Sequence, residues 1–176
     1  MYVTGGQYKG YKLKIPNSAK PTLSKVRESV FNILFSKIEN FEDKIFLDLF
    51  SGSGIMSLEA LSRGFKTISV DNNKQSIQLI KENFKEIKGN YEIIFSDAIK
   101  YIEKTNIEPN VVYIDPPWDM NYEEIIIKTI NKIKNAIIII EYDKKRVKSL
   151  DEIYSKTITP FKEKVYGRCK LDFIET

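Results

Sequence analysis

The sequence predicts an α/β protein built on a doubly wound, mostly parallel sheet. Residues 111–114 and 136–140 are continuously apolar, and residues 45–49 are apolar except for Asp48, which is typical of strands buried on both faces. Segments with helical spacing separate these runs, and such alternation of strand and helix produces parallel sheets. The 176 residues, 42% of them hydrophobic, suffice for one buried core.

Residues 1–38 are predicted to form an N-terminal arm that consists of a β-hairpin and a helix. Residues 2–15 predict two short strands around a glycine-rich turn at 5–10. After Pro21 the apolar residues recur at the spacing of one helix face, at Val26, Val30, Ile33, Leu34 and Ile38. We expect this arm to pack on a catalytic core of residues 39–176, so that residues 1–176 form a single domain.

The core is expected to alternate strands and helices and to end in an antiparallel hairpin. The predicted strands are 44–50, 66–71, 91–95, 110–115 and 136–142, and the predicted helices are 55–62, 74–87, 97–104 and 122–134. A short polar helix near 146–152 follows. Two last β segments, 154–160 and 164–175, have no helix between them and should pair antiparallel, which brings the sheet to seven strands.

Composition excludes several classes of enzyme. The chain has 0 His, so mechanisms that need an imidazole base or a histidine metal ligand are excluded. It has 1 Cys, Cys169, so it forms neither an internal disulfide nor a CxxC zinc site. The sequence shows no run long enough for a membrane span and no apolar leader, and we expect a cytoplasmic protein.

The positive charge is concentrated at the N-terminus. The whole chain carries a formal charge of +4, whereas residues 1–30 hold six basic residues against Glu28 alone. These basic residues are Lys9, Lys12, Lys14, Lys20, Lys25 and Arg27. This distribution is expected if the arm lies on a phosphate backbone; an ordinary solvated lysine surface is the alternative.

Acidic residues lie at or directly after the ends of three successive predicted strands. Asp48 precedes Gly52 and Gly54 in a strand-to-helix turn, Asp71 ends the second strand and Asp97 follows the third. Ligands of doubly wound sheets bind at the carboxyl ends of the strands, where glycines allow a close approach. A ribose-and-adenine ligand with a cationic end fits such a rim. A plain tight turn and helix caps at the two later acids are the alternatives.

The fourth strand ends in the most specific motif, Asp115-Pro116-Pro117-Trp118. Two prolines remove two N–H donors and leave carbonyls that only accept, beside a carboxylate that also accepts. Such a site suits an exocyclic amine, and Trp118 can stack on the base that carries it. The alternative is a rigid turn with a packed tryptophan.

Together these motifs carry a resemblance to a known family. Residues 48–54, Asp71, Asp97 and 115–118 resemble the S-adenosylmethionine-dependent methyltransferases that modify exocyclic amines. The whole chain resembles the bacterial 16S rRNA guanine-N2 methyltransferases of the RsmD type. Further matching segments are Gly5-Gly6, Lys9-Gly10, Pro21-Thr22, Val26-Arg27-Glu28, Phe31-Asn32, residues 59–64 and Val165-Tyr166-Gly167.

The resemblance implies a Rossmann-like methyltransferase sheet and a set of site residues. The implied catalytic residues are Asp115, Pro116, Pro117 and Trp118. The implied residues for S-adenosylmethionine, which leaves as S-adenosylhomocysteine, are Thr22, Asp48, Phe50, Gly52, Gly54, Asp71, Asn72, Asp97 and Ala98. We expect Lys9, Lys12, Lys20 and Arg27 to bind RNA, in small-subunit ribosomal RNA or a 30S assembly particle. No metal and no membrane are expected, and the protein is expected to be a monomer.

Three alternatives remain open. A methyltransferase of the same fold could act on adenine N6 of DNA or RNA or on a protein glutamine. A non-catalytic RNA-binding assembly factor could keep the same pocket. An NAD-dependent oxidoreductase is disfavoured because Ser57 stands where a GxGxxG fingerprint needs glycine.

Overall fold

The structure, a computed structural model, describes residues 1–16, 22–117, 120, 122–145, 150 and 158–176. Its centre is a seven-stranded sheet in the order β3-β2-β1-β4-β5-β7-β6. The strands are β1 Ile45–Asp48, β2 Lys66–Asp71, β3 Tyr91–Phe95, β4 Val111–Ile114, β5 Ile137–Asp143, β6 Lys162–Tyr166 and β7 Cys169–Glu175. The first five strands pair in parallel, and β7 pairs antiparallel with both β5 and β6. The predicted fold class is confirmed.

Helices cover both faces of the sheet. They are α1 Ser24–Lys37, α2 Ile55–Ser62, α3 Lys74–Asn83, α4 Ala98–Lys104 and α5 Tyr122–Lys132. Buried residues of α1, α2 and α3 form one hydrophobic cluster with one face of the sheet, and those of α4 and α5 form a second cluster on the other. Within the described ranges, no helix has the length and apolar character needed to cross a membrane.

The third helix is shorter than the predicted 74–87. It ends at Asn83, and the Ile87 N–H then bonds to the Phe84 carbonyl in a tighter turn. Phe84 and Ile87 are both buried, so the chain keeps its apolar side chains in the core while it leaves the helix. The apolar spacing therefore continued past the end of the regular helix.

The predicted N-terminal hairpin is present. Tyr2 and Lys12 form an antiparallel bridge, the Val3 N–H donates to the Tyr11 carbonyl at 3.0 Å, and the Leu13 N–H donates to the Met1 carbonyl at 2.8 Å. Val3 and Leu13 are buried in the same cluster as α1 and the sheet. Because side chains alternate between the two faces of the hairpin, Tyr2 and Lys12 lie on its exposed face.

The C-terminal hairpin differs from its prediction. The predicted continuous strand 164–175 is wrong, because Gly167, with a φ of 62°, reverses the chain between β6 and β7. Both strands of the hairpin therefore come from residues 162–175, and no strand is assigned at 158–160. The predicted helix 146–152, apart from Leu150, and residues 154–157 lie outside the described residues.

The strand order determines where a ligand can bind. The chain leaves β1 for β2 and β3 on one side and returns to β4 on the other, so adjacent crossovers diverge above β1 and β4. In doubly wound sheets this divergence opens a crevice at the carboxyl ends of the strands. Residues 49–54 directly follow β1, of which Asp48 is the last residue, and residues 115–117 directly follow the neighbouring strand β4.

Candidate active site

The turn after β1 is a glycine loop with two left-handed residues. Gly52 has a φ of 53° and Gly54 has a φ of 81°, a region that side chains rarely adopt. A Cβ at Gly54 would lie 3.0 Å from the Phe84 ring and 3.2 Å from Ile80. Gly54 therefore allows α2 to begin close to α3, and Gly52 leaves open space over the loop.

Asp71 holds the glycine loop. Its Oδ2 accepts from the Gly52 N–H at 2.8 Å, and its Oδ1 accepts from the Asn73 N–H at 2.8 Å. The cap of α3 is Asn73, whose side chain accepts from the Gln75 and Ser76 N–H groups. The helix-cap alternative for Asp71 is therefore wrong, and this carboxylate links the ends of β1 and β2.

Asp97 does cap the helix that follows it. Its Oδ1 accepts from the Lys100 N–H at 3.0 Å, at the first turn of α4. Ala98 is buried as the first residue of that helix, and Asn72 is exposed directly after β2. Phe50 is partly buried against the cluster that contains α4. These residues all lie along the rim formed by the ends of β1, β2 and β3.

Asp48 is a buried carboxylate that no cation balances within the described residues. It is 1% exposed, and its Oδ2 accepts from the Ser57 hydroxyl at 2.9 Å, while its Oδ1 has no hydrogen-bond partner in the described part of the chain. Burial, with a further contribution from Asp71, raises the pKa of Asp48 to about 7. An uncompensated buried acid under a glycine loop fits a ligand that brings positive charge.

A cavity of about 300 Å³ lies beside the end of β4. Its walls include Asp115 and Pro116, the first turn of α1 with Thr22, the end of β5, and the turn between β6 and β7. Pro116 is buried and Pro117 is exposed, whereas Trp118 lies outside the described residues. The structure thus brings Asp115, Pro116 and Thr22 together at one cavity, at the end of the strand that pairs with β1.

Glu141 is a cavity residue that the sequence analysis missed. It lies near the end of β5, where it accepts a hydrogen bond from the Tyr113 hydroxyl and lies 3.3 Å from the Cys169 sulfur. Asp143 and Arg168 line the same cavity and form an ion pair. The signal was available, because Glu141 is another acidic residue at the end of a buried strand, as are Asp48 and Asp71.

The predicted RNA contact of Arg27 is wrong. Its side chain is 1% exposed, its Nε donates to Glu59 at 2.9 Å, and its Nη2 donates to the Tyr2 carbonyl at 2.9 Å. Its Nη1 donates to the Thr22 carbonyl. A guanidinium enclosed in this way cannot reach a phosphate, and it attaches the hairpin and α1 to the core instead.

The remaining basic residues of the arm differ in their surroundings. Lys9 and Lys12 are exposed on the hairpin, Lys14 pairs with Glu82, and Lys20 lies outside the described residues. The hairpin also contacts the site through Asn83, whose Nδ2 donates to the carbonyl of Lys14 and, at 2.9 Å, to that of Ser53. The arm and the glycine loop therefore share one buried amide.

Comparisons with known proteins identify relatives of the whole chain. The family described as conserved hypothetical protein 95 matches residues 1–175. Ribosomal RNA small subunit methyltransferase D of Buchnera aphidicola subsp. Acyrthosiphon pisum is 33% identical over 178 residues, which cover 94% of this chain and 87% of that protein. The protein of the same name from Escherichia coli K12 is 38% identical over 76% of this chain and 66% of its own length.

A solved structure extends the similarity to the whole fold. The putative methyltransferase yhhF from Escherichia coli superimposes with a TM-score of 0.83 at 26% identity, and the match covers 99% of this chain and 96% of that one. The chain therefore belongs to the conserved hypothetical protein 95 family, alongside the methyltransferases D of the small ribosomal subunit RNA.

Proposed function

We propose that this protein transfers a methyl group from S-adenosylmethionine to N2 of a guanine in small-subunit ribosomal RNA. The observation that carries the proposal is the adjacency of two different sites on neighbouring strands. The end of β1 supplies a glycine loop over an uncompensated acid, and the end of β4 supplies Asp115 and Pro116 at a cavity. The family relationship supports the same reaction.

The cofactor side of the site suits S-adenosylmethionine. Asp48 lies near the cationic end of the ligand, the loop of Gly52 and Gly54 passes beneath it, and Asp71 accepts from the ribose hydroxyls. Asp97 accepts from the adenine amine with the oxygen that does not cap α4. Thr22, Phe50, Asn72 and Ala98 complete this binding set. The bound sulfonium supplies an already activated methyl group.

The acceptor side positions the amine. The Asp115 carboxylate and the Pro116 carbonyl accept hydrogen bonds from the guanine N2 amine, and both proline nitrogens lack a competing N–H donor. These contacts direct the nitrogen lone pair towards the glycine loop, and the proton that N2 loses on methylation passes to Asp115 or to water. Pro117 stiffens the turn and Trp118 stacks on the base. Because positioning and exclusion of water supply most of the rate, the chemistry needs no histidine.

The basic arm holds the RNA around the target base. A base within structured RNA must leave its stack before it enters the cavity, and contacts to the flanking phosphates offset part of that cost. Lys9, Lys12 and Lys20 make these contacts. The substrate is 16S RNA or a 30S assembly particle, and the protein acts as a cytoplasmic monomer.

The test is methylation of small-subunit RNA or particles that lack the modification. The purified protein is incubated with labelled S-adenosylmethionine, and the RNA is digested to nucleosides for mass spectrometry. We expect N2-methylguanosine at one position. Asp115→Asn should reduce its formation at least about 100-fold while the affinity for S-adenosylmethionine stays close to normal, since directed hydrogen bonds at the reacting atom act mainly on the rate.

Asp43→Asn is the matched control, because Asp43 is exposed and pairs with Lys66 away from the cavity. It should leave the rate unchanged. Methyladenosine, methylated protein glutamine, or no product on RNA or particles would each contradict the proposal. Loss of cofactor binding in Asp115→Asn would contradict the assigned role of Asp115.

A further inference from the structure

Asp115 and Glu141 lie side by side on one face of the sheet. The parallel register of β4 and β5 pairs Tyr113 with Ile139 and Ile114 with Ile140, so the next positions are Asp115 and Glu141. Tyr113 and Ile139 belong to the cluster that packs against α1, and side chains two residues further along a strand point to the same face. Both carboxylates therefore line the cavity under the first turn of α1.

Glu141 is held in place by two neighbours. The Tyr113 hydroxyl donates to its Oε2, and the Cys169 thiol lies 3.3 Å from its Oε1. Burial raises the pKa of Tyr113 well above its usual range, and the charges of Glu141 and Asp115 add to the effect. Tyr113 therefore stays protonated and donates. A carboxylate has about four acceptor positions, so the contacts with Tyr113 and Cys169 orient Glu141 and use only part of that number.

The cavity presents its polar groups in a definite order across the sheet. Asp115 follows β4, Glu141 lies on β5, and Arg168 lies in the turn before β7, which neighbours β5. Across these three positions the lining runs acceptor, acceptor, donor; Asp143, which also lines the cavity, is ion-paired with Arg168. The Watson–Crick edge of guanine runs N2 amine, N1–H and O6, which is donor, donor, acceptor. The two orders are complementary.

We propose that Glu141 selects guanine by accepting its N1–H beside Asp115, while Arg168 donates to O6. The inference rests on the proposed function, which it deepens by naming the residues that recognise the base. Arg168 carries five N–H donors, so its ion pair with Asp143 positions the guanidinium and leaves it able to bond a base oxygen. Donation from arginine or lysine to guanine O6 is part of the commonest base-specific contact in protein–DNA complexes.

The same arrangement disfavours adenine. With its N6 amine at Asp115, adenine presents an unprotonated N1, an acceptor, to the acceptor Glu141, and only a C2–H to the donor Arg168. Two acceptors that face each other in a partly buried cavity lose their hydrogen bonds and their solvation, and the base offers no oxygen to Arg168. Glu141 therefore discriminates against adenine even though adenine carries an amine on its six-membered ring.

The test compares guanine with 2-aminopurine at the target position of the same RNA. The two bases carry the same N2 amine, but 2-aminopurine has neither N1–H nor O6. The wild-type protein should prefer guanine by roughly 100-fold in kcat/KM, from two contacts of the usual strength. In Glu141→Gln the amide can donate to the bare N1, so this preference should shrink at least about tenfold.

Two further variants separate recognition from structure. Tyr113→Phe removes the hydroxyl that orients Glu141 and should narrow the preference in the same direction by a smaller factor. Glu163→Gln, on the exposed side of the same hairpin, pairs with Lys170 and should leave the preference unchanged. Thermal unfolding and S-adenosylmethionine affinity of each variant show whether the fold and the cofactor site are intact.

The outcomes are distinguishable. A wild-type protein that forms no N2-methylguanosine would overturn the proposed function itself. A wild-type protein that methylates guanine, together with a folded Glu141→Gln variant that keeps the full preference over 2-aminopurine, would overturn this inference alone. A similar loss of kcat/KM on both bases in Glu141→Gln would also overturn it, because that pattern reflects a structural role.

Discussion

Two buried carboxylates are associated with helix α2: Glu59 belongs to it and Asp48 bonds to it. They differ in the groups that surround them. Glu59, within α2, is fully buried and accepts from Arg27, from Arg63 and from the backbone and hydroxyl of Thr4. Asp48 faces Ser57 of the same helix, and the donors that the described residues offer to its carboxylate, the Ser57 hydroxyl first among them, are all neutral. Glu59 is completely compensated by cations, whereas the described residues place no cation beside Asp48.

The difference separates a structural acid from a binding acid. Around Glu59 two arginines and the N-terminal hairpin converge, so that charge connects the arm to the core. Around Asp48 the described residues provide no cation, and burial raises its pKa instead. A buried charge without a partner is costly, and a ligand that supplies the partner recovers the cost. The role of a buried carboxylate is therefore indicated by the presence or absence of a cationic partner more than by its burial.

The largest effect is expected from removal of the compensated charge. Glu59→Gln should lower the free energy of unfolding by about 3 to 5 kcal/mol, because it leaves two buried guanidinium groups without their carboxylate. Chemical denaturation measures this loss. Glu175→Gln, which removes a surface ion pair with Lys37, is the control and should cost less than about 1 kcal/mol. Equal losses of unfolding free energy in the two variants would contradict the structural role assigned to Glu59.

Ionisation of Asp48, the uncompensated acid, should lower the stability of the folded protein. The folded-state pKa of Asp48 is raised from 3.8 to about 7, so the folded protein binds the extra proton between these values. Stability from this group is present at low pH and decreases as pH rises from about 4 to 7, by up to about 1.4 kcal/mol per pH unit. In Asp48→Asn this component should disappear from denaturation curves of the ligand-free protein. A variant as pH-dependent as the wild type would contradict the assignment.

The glycine loop gives a smaller and purely steric test. Gly54→Ala combines a left-handed φ with crowding against Phe84 and Ile80, and it should destabilise the protein by about 1 to 3 kcal/mol. Gly10→Ala is the matched control, since Gly10 has a similar φ of 87° and no atom within 4 Å of the added methyl group. The difference between their thermal unfolding curves isolates the packing of α2 on α3.

The smallest effect on stability is expected at the exposed arm. Lys9→Ala combined with Lys12→Ala should change stability by less than about 0.5 kcal/mol. It should reduce the salt dependence of RNA binding by about one to two released counterions. S-adenosylmethionine affinity should not change. The control combines Lys100→Ala with Lys104→Ala, on α4 at the opposite face of the sheet. An equal loss of RNA affinity in this control would contradict a specific role of the hairpin in RNA binding.

Sequence patterns predicted the central strands and the acidic residues at their carboxyl ends, because both features depend on short stretches of sequence. Buried parallel strands are continuous apolar runs, and an acid at the end of such a strand lies at the ligand edge whatever the remaining packing. The turn at Gly167 was missed because the β-forming residues on both sides continue the same pattern. Arg27 was misassigned because a count of charges does not show that Glu59, 32 residues later, is packed against it.

The most direct test of the comparison is the pH dependence of S-adenosylmethionine affinity, measured calorimetrically for the wild type and Asp48→Asn. If the ligand balances the Asp48 charge, wild-type affinity should rise roughly tenfold between about pH 5.5 and pH 7, as the carboxyl with its pKa of about 7 ionises. The variant should bind more weakly and lack this rise. An identical pH dependence in both proteins would contradict the account, because the uncompensated acid would then have no part in binding.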